Sequence, residues 1–208
     1  MSGGDIVLKL RNINKVIANK VILNDINTEF NEGSCVILRG HNGSGKTMLL
    51  RLLCGLIQPT SGEFIYEPNS KFGVIIEVPS FFMHETAFFN LKYLAALNKS
   101  ITEDEINTYL RLLNLYDVKN KKVKTYSQGM KMRLALCQAF MENPDVILLD
   151  EPFNALDDLN KEIVCYIINE FRLAGKIIVL ASHGELPKIC TIDRTIMMMA
   201  GAIVSEQQ

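Results

Sequence analysis

Apolar residues recur along the chain at two spacings, and the change from one to the other divides it into regions. At the start the runs are short and β-rich. Ile6 to Ile13, Lys20 to Leu23 and Ile26 to Phe30, separated by Asn-rich turns, predict a small antiparallel sheet leading into a strand at Ser34 to Arg39. Met48 to Leu56 carries Leu at helical spacing, and Gly62 to Glu67 and Phe72 to Glu77 read as strands joined through the turn Pro68-Asn69-Ser70. From Glu85 to Met141 the spacing turns helical. Ala87, Leu91, Leu94 and Ala95 fall three and four apart, and Thr102-Glu103-Asp104-Glu105 has the form of a capping box ahead of Ile106 to Leu115. The basic stretch Lys119 to Lys124 reads as a solvated loop before a further helix at Ser127 to Met141. After Pro144 the runs Val146 to Asp150, Leu159 to Leu173, Lys176 to Ala181, Glu185 to Cys190, Ile192 to Met199 and Ala202 to Val204 restore a strand and helix rhythm. That rhythm predicts an α/β fold, with a mostly parallel sheet covered on both faces and a helical lobe inserted in the chain.

Two of the strand ends carry chemistry. Gly40-His41-Asn42-Gly43-Ser44-Gly45-Lys46-Thr47 sits between a strand and a helix and satisfies the Gly-x-x-x-x-Gly-Lys-Ser/Thr phosphate-binding pattern. Glycines let the loop curl with its N–H groups inward, and the next helix adds the positive end of its dipole. In that pattern Lys46 reaches the β- and γ-phosphates and Thr47 supplies a hydroxyl to Mg²⁺. The run Val146 to Leu149 is continuous, buried-strand sequence ending in Asp150-Glu151. A carboxylate at such an end lies at the edge where ligands of open α/β folds bind, so Asp150 is placed to reach the metal and Glu151 to polarise the attacking water. Ser182-His183 follows another strand, and His183 is a candidate sensor of the γ-phosphate.

Composition narrows the class. The chain has 208 residues, 48% of them apolar, enough for one core or for one core with a smaller lobe. A net charge of -1 offers no basic excess for general nucleic-acid binding. The five cysteines are scattered without Cys-x-x-Cys spacing and read as reduced core residues. Residues 1–5 hold no basic region followed by an apolar stretch, so no secretory signal is expected. The longest apolar run, Ile196 to Val204, is short of the roughly 20 residues that span a bilayer.

In this order the motifs resemble the ATP-binding subunit of an ABC transporter, over nearly the whole chain. Gly40 to Thr47 resembles the Walker A loop, Val146 to Asp150 the Walker B strand, Glu151 the catalytic glutamate, Asn154-Ala155-Leu156-Asp157 the D-loop and His183 the switch histidine. Tyr126-Ser127-Gln128-Gly129-Met130 resembles the signature Leu-Ser-Gly-Gly-Gln, which separates these proteins from other P-loop NTPases. The resemblance implies a single ABC ATPase domain. Residues 1–84 and 142–208 would form a RecA-like core with a small antiparallel β subdomain, and residues 85–141 the helical subdomain. It also implies ATP hydrolysis with Mg²⁺: Gly40 through Thr47, Met48, Ile17, Ser127 and Gly129 would bind nucleotide, Lys46, Glu151 and His183 would be catalytic, and Thr47, Asp150 and Glu77 would hold the metal. Two subunits, identical or paralogous, would clamp two ATP head to tail. They would drive separate transmembrane permease subunits from the cytoplasmic face, with no nucleic-acid partner and with no regulatory domain beyond Gln208.

The departures are specific to this chain. Ile17 takes the place of an adenine-stacking aromatic, Glu77 that of a glutamine, Gln128 that of the signature's first glycine and Met130 that of its last glutamine. A carboxylate at 77 can ligate Mg²⁺ but donates no hydrogen bond. Glu77-Val78-Pro79-Ser80-Phe81-Phe82 and the Tyr-Ser-x-Gly-Met signature are similar to the bacitracin and lantibiotic export or immunity branch. Phe81, Phe82, Met83, Phe88 and Phe89 either fill the lobe or, where exposed, receive a short helix of the membrane subunit. Two further readings stay open: an ABC protein using ATP only as an assembly switch, and an unrelated P-loop kinase or GTPase, for which the signature segment has no use.

Overall fold

The computed structural model describes residues 7–77, 80–98 and 101–207, and the readings that fall on residues 1–6 and on Val78 and Pro79 lie outside it. Its organising layer is a six-stranded sheet in the order β5 (Phe72–Ile75), β6 (Val146–Asp150), β7 (Ile177–Ala181), β3 (Cys35–Arg39), β8 (Arg194–Met199), β9 (Ala202–Gln207). All neighbours run parallel except the hairpin pair β8 and β9. The alternation of side chains along a strand sends residues to two separate cores. From β3, β6 and β7, Cys35, Ile37, Ile147, Leu149, Ile178 and Leu180 face one cluster, shared with the helical lobe and α5 (Asp158–Leu173). Val36, Leu38, Val146, Leu148, Ile177 and Val179 face the other, shared with α1 (Lys46–Leu53) and a small antiparallel sheet. Each such fully buried side chain stabilises the fold by about 1.5–3 kcal/mol.

The small sheet, in the order β2 (Lys20–Asn31), β1 (Val7–Ile17), β4 (Ser61–Ile65), differs from the pattern of apolar runs. The two expected strands Lys20 to Leu23 and Ile26 to Phe30 are one strand, and β1 continues past Ile13 to Ile17. Their polar interruptions form an irregularity in the ladder: Asp25 has φ 47°, and its N–H donates to the Asn14 Oδ1 at 2.9 Å. Side-chain amides thus replace ladder partners and let the strand run on.

The lobe consists of α2 (Ala87–Asn98), α3 (Glu103–Leu112) and α4 (Gln128–Phe140). The Thr102 capping box is formed, with the Glu105 N–H on Thr102 Oγ1 at 3.3 Å and the Thr102 N–H on Glu105 Oε2 at 2.7 Å. The basic stretch is not a free loop. The N–H groups of Val123 and Lys124 donate to the Glu85 and Met83 carbonyls at 3.0 and 2.9 Å, fastening it to the segment before α2. The expected element at Glu185 to Cys190 is absent, because Pro187 interrupts it and only a turn forms, closed by Cys190 N–H on the Pro187 carbonyl at 2.9 Å.

Candidate active site

The phosphate loop leaves β3 at the C-terminal edge of the sheet, and its backbone shape depends on what surrounds it. Gly40 has φ 146°, and a Cβ there would sit 2.3 Å from the Met198 carbonyl oxygen and 2.6 Å from Ser44 Oγ. Only glycine fits. The β8–β9 turn supports the loop from below: the Gly201 N–H donates to the Ser44 carbonyl at 3.0 Å, and Asn24 N–H to the Gly201 carbonyl at 2.9 Å. Nothing in the phosphate-binding pattern pointed to this turn. Its one signal was the Ala200-Gly201 dipeptide between two strand candidates.

Above the loop lies a cavity of about 380 Å³ lined by Lys20, Ile22, residues 42 to 48, Asp150 and Glu151. Its chemistry suits a phosphate chain. Gly45 begins α1 at φ 107° without any side-chain cap, so the first N–H groups of the helix receive no oxygen from a capping residue. Ser44 Oγ is buried with no hydrogen-bond partner. Lys46, 6% exposed, spends its ammonium on two carbonyls of the loop itself, Gly40 at 2.7 Å and His41 at 3.2 Å. A cation, an orphaned hydroxyl and an uncapped helix start thus converge on one space that has no anion of its own beyond Asp150 and Glu151.

Asp150 ends β6 and Glu151 follows it, and β6 is not adjacent to β3, since β7 lies between them. Even so, Thr47 Oγ1 donates to Asp150 Oδ2 at 2.6 Å, closing the pair expected to hold Mg²⁺. Burial pushes the Asp150 carboxyl up, the Thr47 hydrogen bond draws it down and the Glu151 charge raises it again. Glu77, the third expected metal ligand, turns away to an ion pair with Arg51 of α1.

Glu151 and His183 meet. Glu151 Oε1 accepts the His183 N–H at 3.1 Å and lies 2.6 Å from the ring Nδ1, while Glu151 N–H continues the β6–β7 ladder onto the Ala181 carbonyl at 2.8 Å. Glu77, Glu151 and Ala155 all adopt positive φ, at 67°, 50° and 64°. Such a conformation costs a non-glycine residue about 1–3 kcal/mol, and its clustering here marks backbone held in place by its surroundings. Sequence periodicity carries no trace of it.

The remaining expected residues stand apart from the cavity. Ile17, 43% exposed, ends β1 opposite Lys20, a residue of the cavity rim. His41 places its Nδ1 2.8 Å from the Asn42 carbonyl and does not line the cavity. Ser127 caps α4, accepting the Met130 N–H at 3.2 Å. Gly129 packs so closely on the segment after Glu151 that a Cβ would stand 2.6 Å from the Ala155 carbonyl oxygen. Neither Ser127 nor Gly129 lines the cavity of its own chain. Asp157 caps α5, its carboxylate accepting the Asn160 N–H at 2.8 Å.

With this geometry in view, comparison with known proteins is direct. The family profile described as ABC transporter matches residues 23–154. An uncharacterized ABC transporter ATP-binding protein of Bacillus subtilis, YybJ, is 34% identical, with 97% of each chain covered. The lantibiotic transport ATP-binding protein SrtF of Streptococcus pyogenes is 32% identical over 85% of this chain and 80% of its own length. Among solved structures, the dimeric bacterial ABC transporter cassette MJ0796 superposes with a TM-score of 0.85 at 24% identity, covering 97% of this chain and 98% of that one. The motifs, the fold and these relatives agree: the chain belongs to the ABC transporter family, as an ATP-binding, ATP-hydrolysing subunit.

Proposed function

We propose that the chain works as one half of an ATP-driven clamp, in which two subunits, identical or paralogous, sandwich two Mg-ATP head to tail and move separate membrane subunits. The observation that carries this reading is the split of the site. Lys46, Thr47, Asp150, Glu151 and His183 gather at one sheet edge, whereas the exposed Ser127 and the half-buried Gly129, at the start of α4, line no part of this cavity. A second subunit turned end for end would bring its α4 N-terminus to the γ-phosphate.

In this reading the phosphate loop binds and orients the triphosphate, and Thr47 and Asp150 hold Mg²⁺, with Glu77 as a third candidate. The ion supplies charge neutralisation on the phosphates. Glu151 takes the proton of the attacking water, and His183, hydrogen-bonded to it, fixes the carboxylate and reaches toward the γ-phosphate. The lobe offers a docking face. Phe81 is buried, while Phe82, Phe89 and Tyr93 remain about half exposed with their rings in mutual contact at 5.1 to 6.3 Å. That exposed cluster suits an apolar helix of a membrane subunit. Among the described residues no helix is long and apolar enough to cross a membrane. Likeness to a lantibiotic transport protein supports a peptide of that class as the substrate.

Sedimentation of Glu151→Gln with and without Mg-ATP, beside turnover by the parent protein, tests the clamp. Nucleotide-dependent conversion of monomer to dimer is expected. A chain that binds ATP and stays monomeric excludes pairing with itself and directs the search to a paralogue. The reading of ATP as a mere assembly switch is favoured by one feature, the diversion of Glu77 to Arg51, and steady parent turnover removes it.

A further inference from the structure

The segment that carries His183 is fastened by a residue that no motif contains. Arg39 is the last residue of β3, the strand flanked by β7 and β8, and its half-buried side chain crosses toward the end of β7. Its Nη1 donates to the Ser182 carbonyl at 3.2 Å and also to the Gly184 carbonyl. These two carbonyls bracket His183. The Ser182 N–H donates to the Leu38 carbonyl at 3.2 Å, so Ser182 is tied to β3 on both its polar groups. At His183 and Gly184 apolar packing gives out. The His183 side chain is 57% exposed, and a Cβ built at Gly184 would have no atom within 4 Å. What keeps the backbone after Ser182 turned so that the His183 N–H and ring both meet Glu151 Oε1 is therefore polar, and Arg39 supplies its far anchor. Both bonds leave one nitrogen, Nη1, and a guanidinium suits the task because it is always charged and its planar frame fixes the directions of its N–H donors, whereas the three donors of an ammonium rotate.

We propose that Arg39 is a positioning residue, whose guanidinium spans the Ser182 and Gly184 carbonyls and thereby holds His183 against Glu151. This rests on the reading of Glu151 and His183 as the groups that handle the attacking water. The competing explanation is that Arg39, next to Gly40, acts on the phosphate loop. The two differ in what they do to ATP affinity.

The test measures kcat and ATP Kd for the parent, Arg39→Met, Arg39→Lys, His183→Ala and the double variant Arg39→Met/His183→Ala. Amide hydrogen exchange across residues 182–185 is followed in the nucleotide-free proteins, and thermal unfolding checks that each variant is folded. Arg39→Met is expected to lower kcat about tenfold, as misplacement of a reacting group does, with Kd held within about twofold. Exchange at the His183 amide should rise, Arg39→Lys should recover part of both losses, and the double variant should match His183→Ala alone. Losses that multiply in the double variant, a loss confined to Kd, or unchanged exchange at His183 would each overturn the proposal. Should His183→Ala keep parent turnover, the reading of the site fails instead, and exchange at the His183 amide still decides whether Arg39 anchors the segment.

Discussion

Two helix starts in this chain, those of α1 and α4, are both expected to meet phosphate, and they are prepared for it in opposite ways. α1 begins at Gly45 without a side-chain cap, beneath a buried Ser44 hydroxyl that lacks a partner. α4 begins at Ser127, whose hydroxyl oxygen already accepts the Met130 N–H. The first therefore needs an external oxygen to satisfy its donors. The second is satisfied within its own chain and has only its remaining donors to offer. On the proposed clamp, nucleotide would bind first at α1, and the contact made by α4 would wait on a partner subunit.

The largest expected effects break the α1 end. Lys46→Ala removes the one cation buried in the loop, and Glu151→Gln removes the base while leaving a side chain of the same size. Each should lower turnover about a thousandfold, within the range set by loss of a general base, while Glu151→Gln retains ATP in an equilibrium binding assay. Retained turnover in Glu151→Gln would assign the base to another group.

A second experiment breaks the α4 end, and with it the packing of the segment after Glu151, while leaving the phosphate loop and α1 unsubstituted. Gly129→Val places a branched side chain where even a Cβ stands 2.6 Å from the Ala155 carbonyl, so α4 and the segment after Glu151 must separate. ATP binding to the monomer should be unaffected and turnover should fall about a hundredfold, the scale of misplacing a group by 1 Å. Mixing this variant with Lys46→Ala sharpens the comparison. A head-to-tail pair of the two builds one intact composite site and one doubly damaged site, so activity should return on mixing. No recovery would show that α4, or the segment after Glu151 that it displaces, acts within its own subunit.

How much of this was legible beforehand follows the physics of each part. The phosphate loop, the β6 carboxylates and the Thr102 capping box are local patterns, and each appears where the pattern puts it. The insertion of β7 between β3 and β6, the turn around Gly201 under the loop and the reach of Arg39 to Gly184 are contacts between distant segments, which one sequence cannot display. The run Glu185 to Cys190 shows the converse error, apolar spacing taken for an element although Pro187 forbids its continuation. In the aromatic stretch the types alone did not separate Phe81, which is buried, from Phe82, which is half exposed.

A third experiment concerns the metal at the α1 end. Glu77 is 70% exposed at its side chain and paired with Arg51, and such pairs contribute about 0–1 kcal/mol, so Glu77→Gln should leave the unfolding midpoint nearly unchanged. If Glu77 swings from Arg51 to ligate Mg²⁺ when nucleotide binds, the Mg²⁺ concentration for half-maximal turnover should rise about tenfold, as it does when a metal-site partner is lost. An unchanged value would confine Glu77 to Arg51 and leave the metal to Thr47 and Asp150.

The smallest expected effect lies at the rim of the α1 cavity, and it asks whether that end binds through phosphates alone. Ile17 and Lys20 close the β1–β2 turn beside the loop, with Ile17 offering apolar contact but no ring. Ile17→Tyr adds a stacking surface for the base. Base stacking on an aromatic is worth about 1–3 kcal/mol relative to alanine, and isoleucine already supplies part of that contact, so the lower end applies and ATP Kd should tighten about fivefold. In the parent, ATP and GTP should bind with nearly equal affinity, because the groups that line the cavity suit phosphate and metal rather than a base. An unchanged Kd in Ile17→Tyr would mean that the base lies elsewhere on the rim. Strong preference of the parent for ATP would mean that base recognition comes from residues other than Ile17, and that the α1 end is more complete in one chain than its contrast with α4 implies.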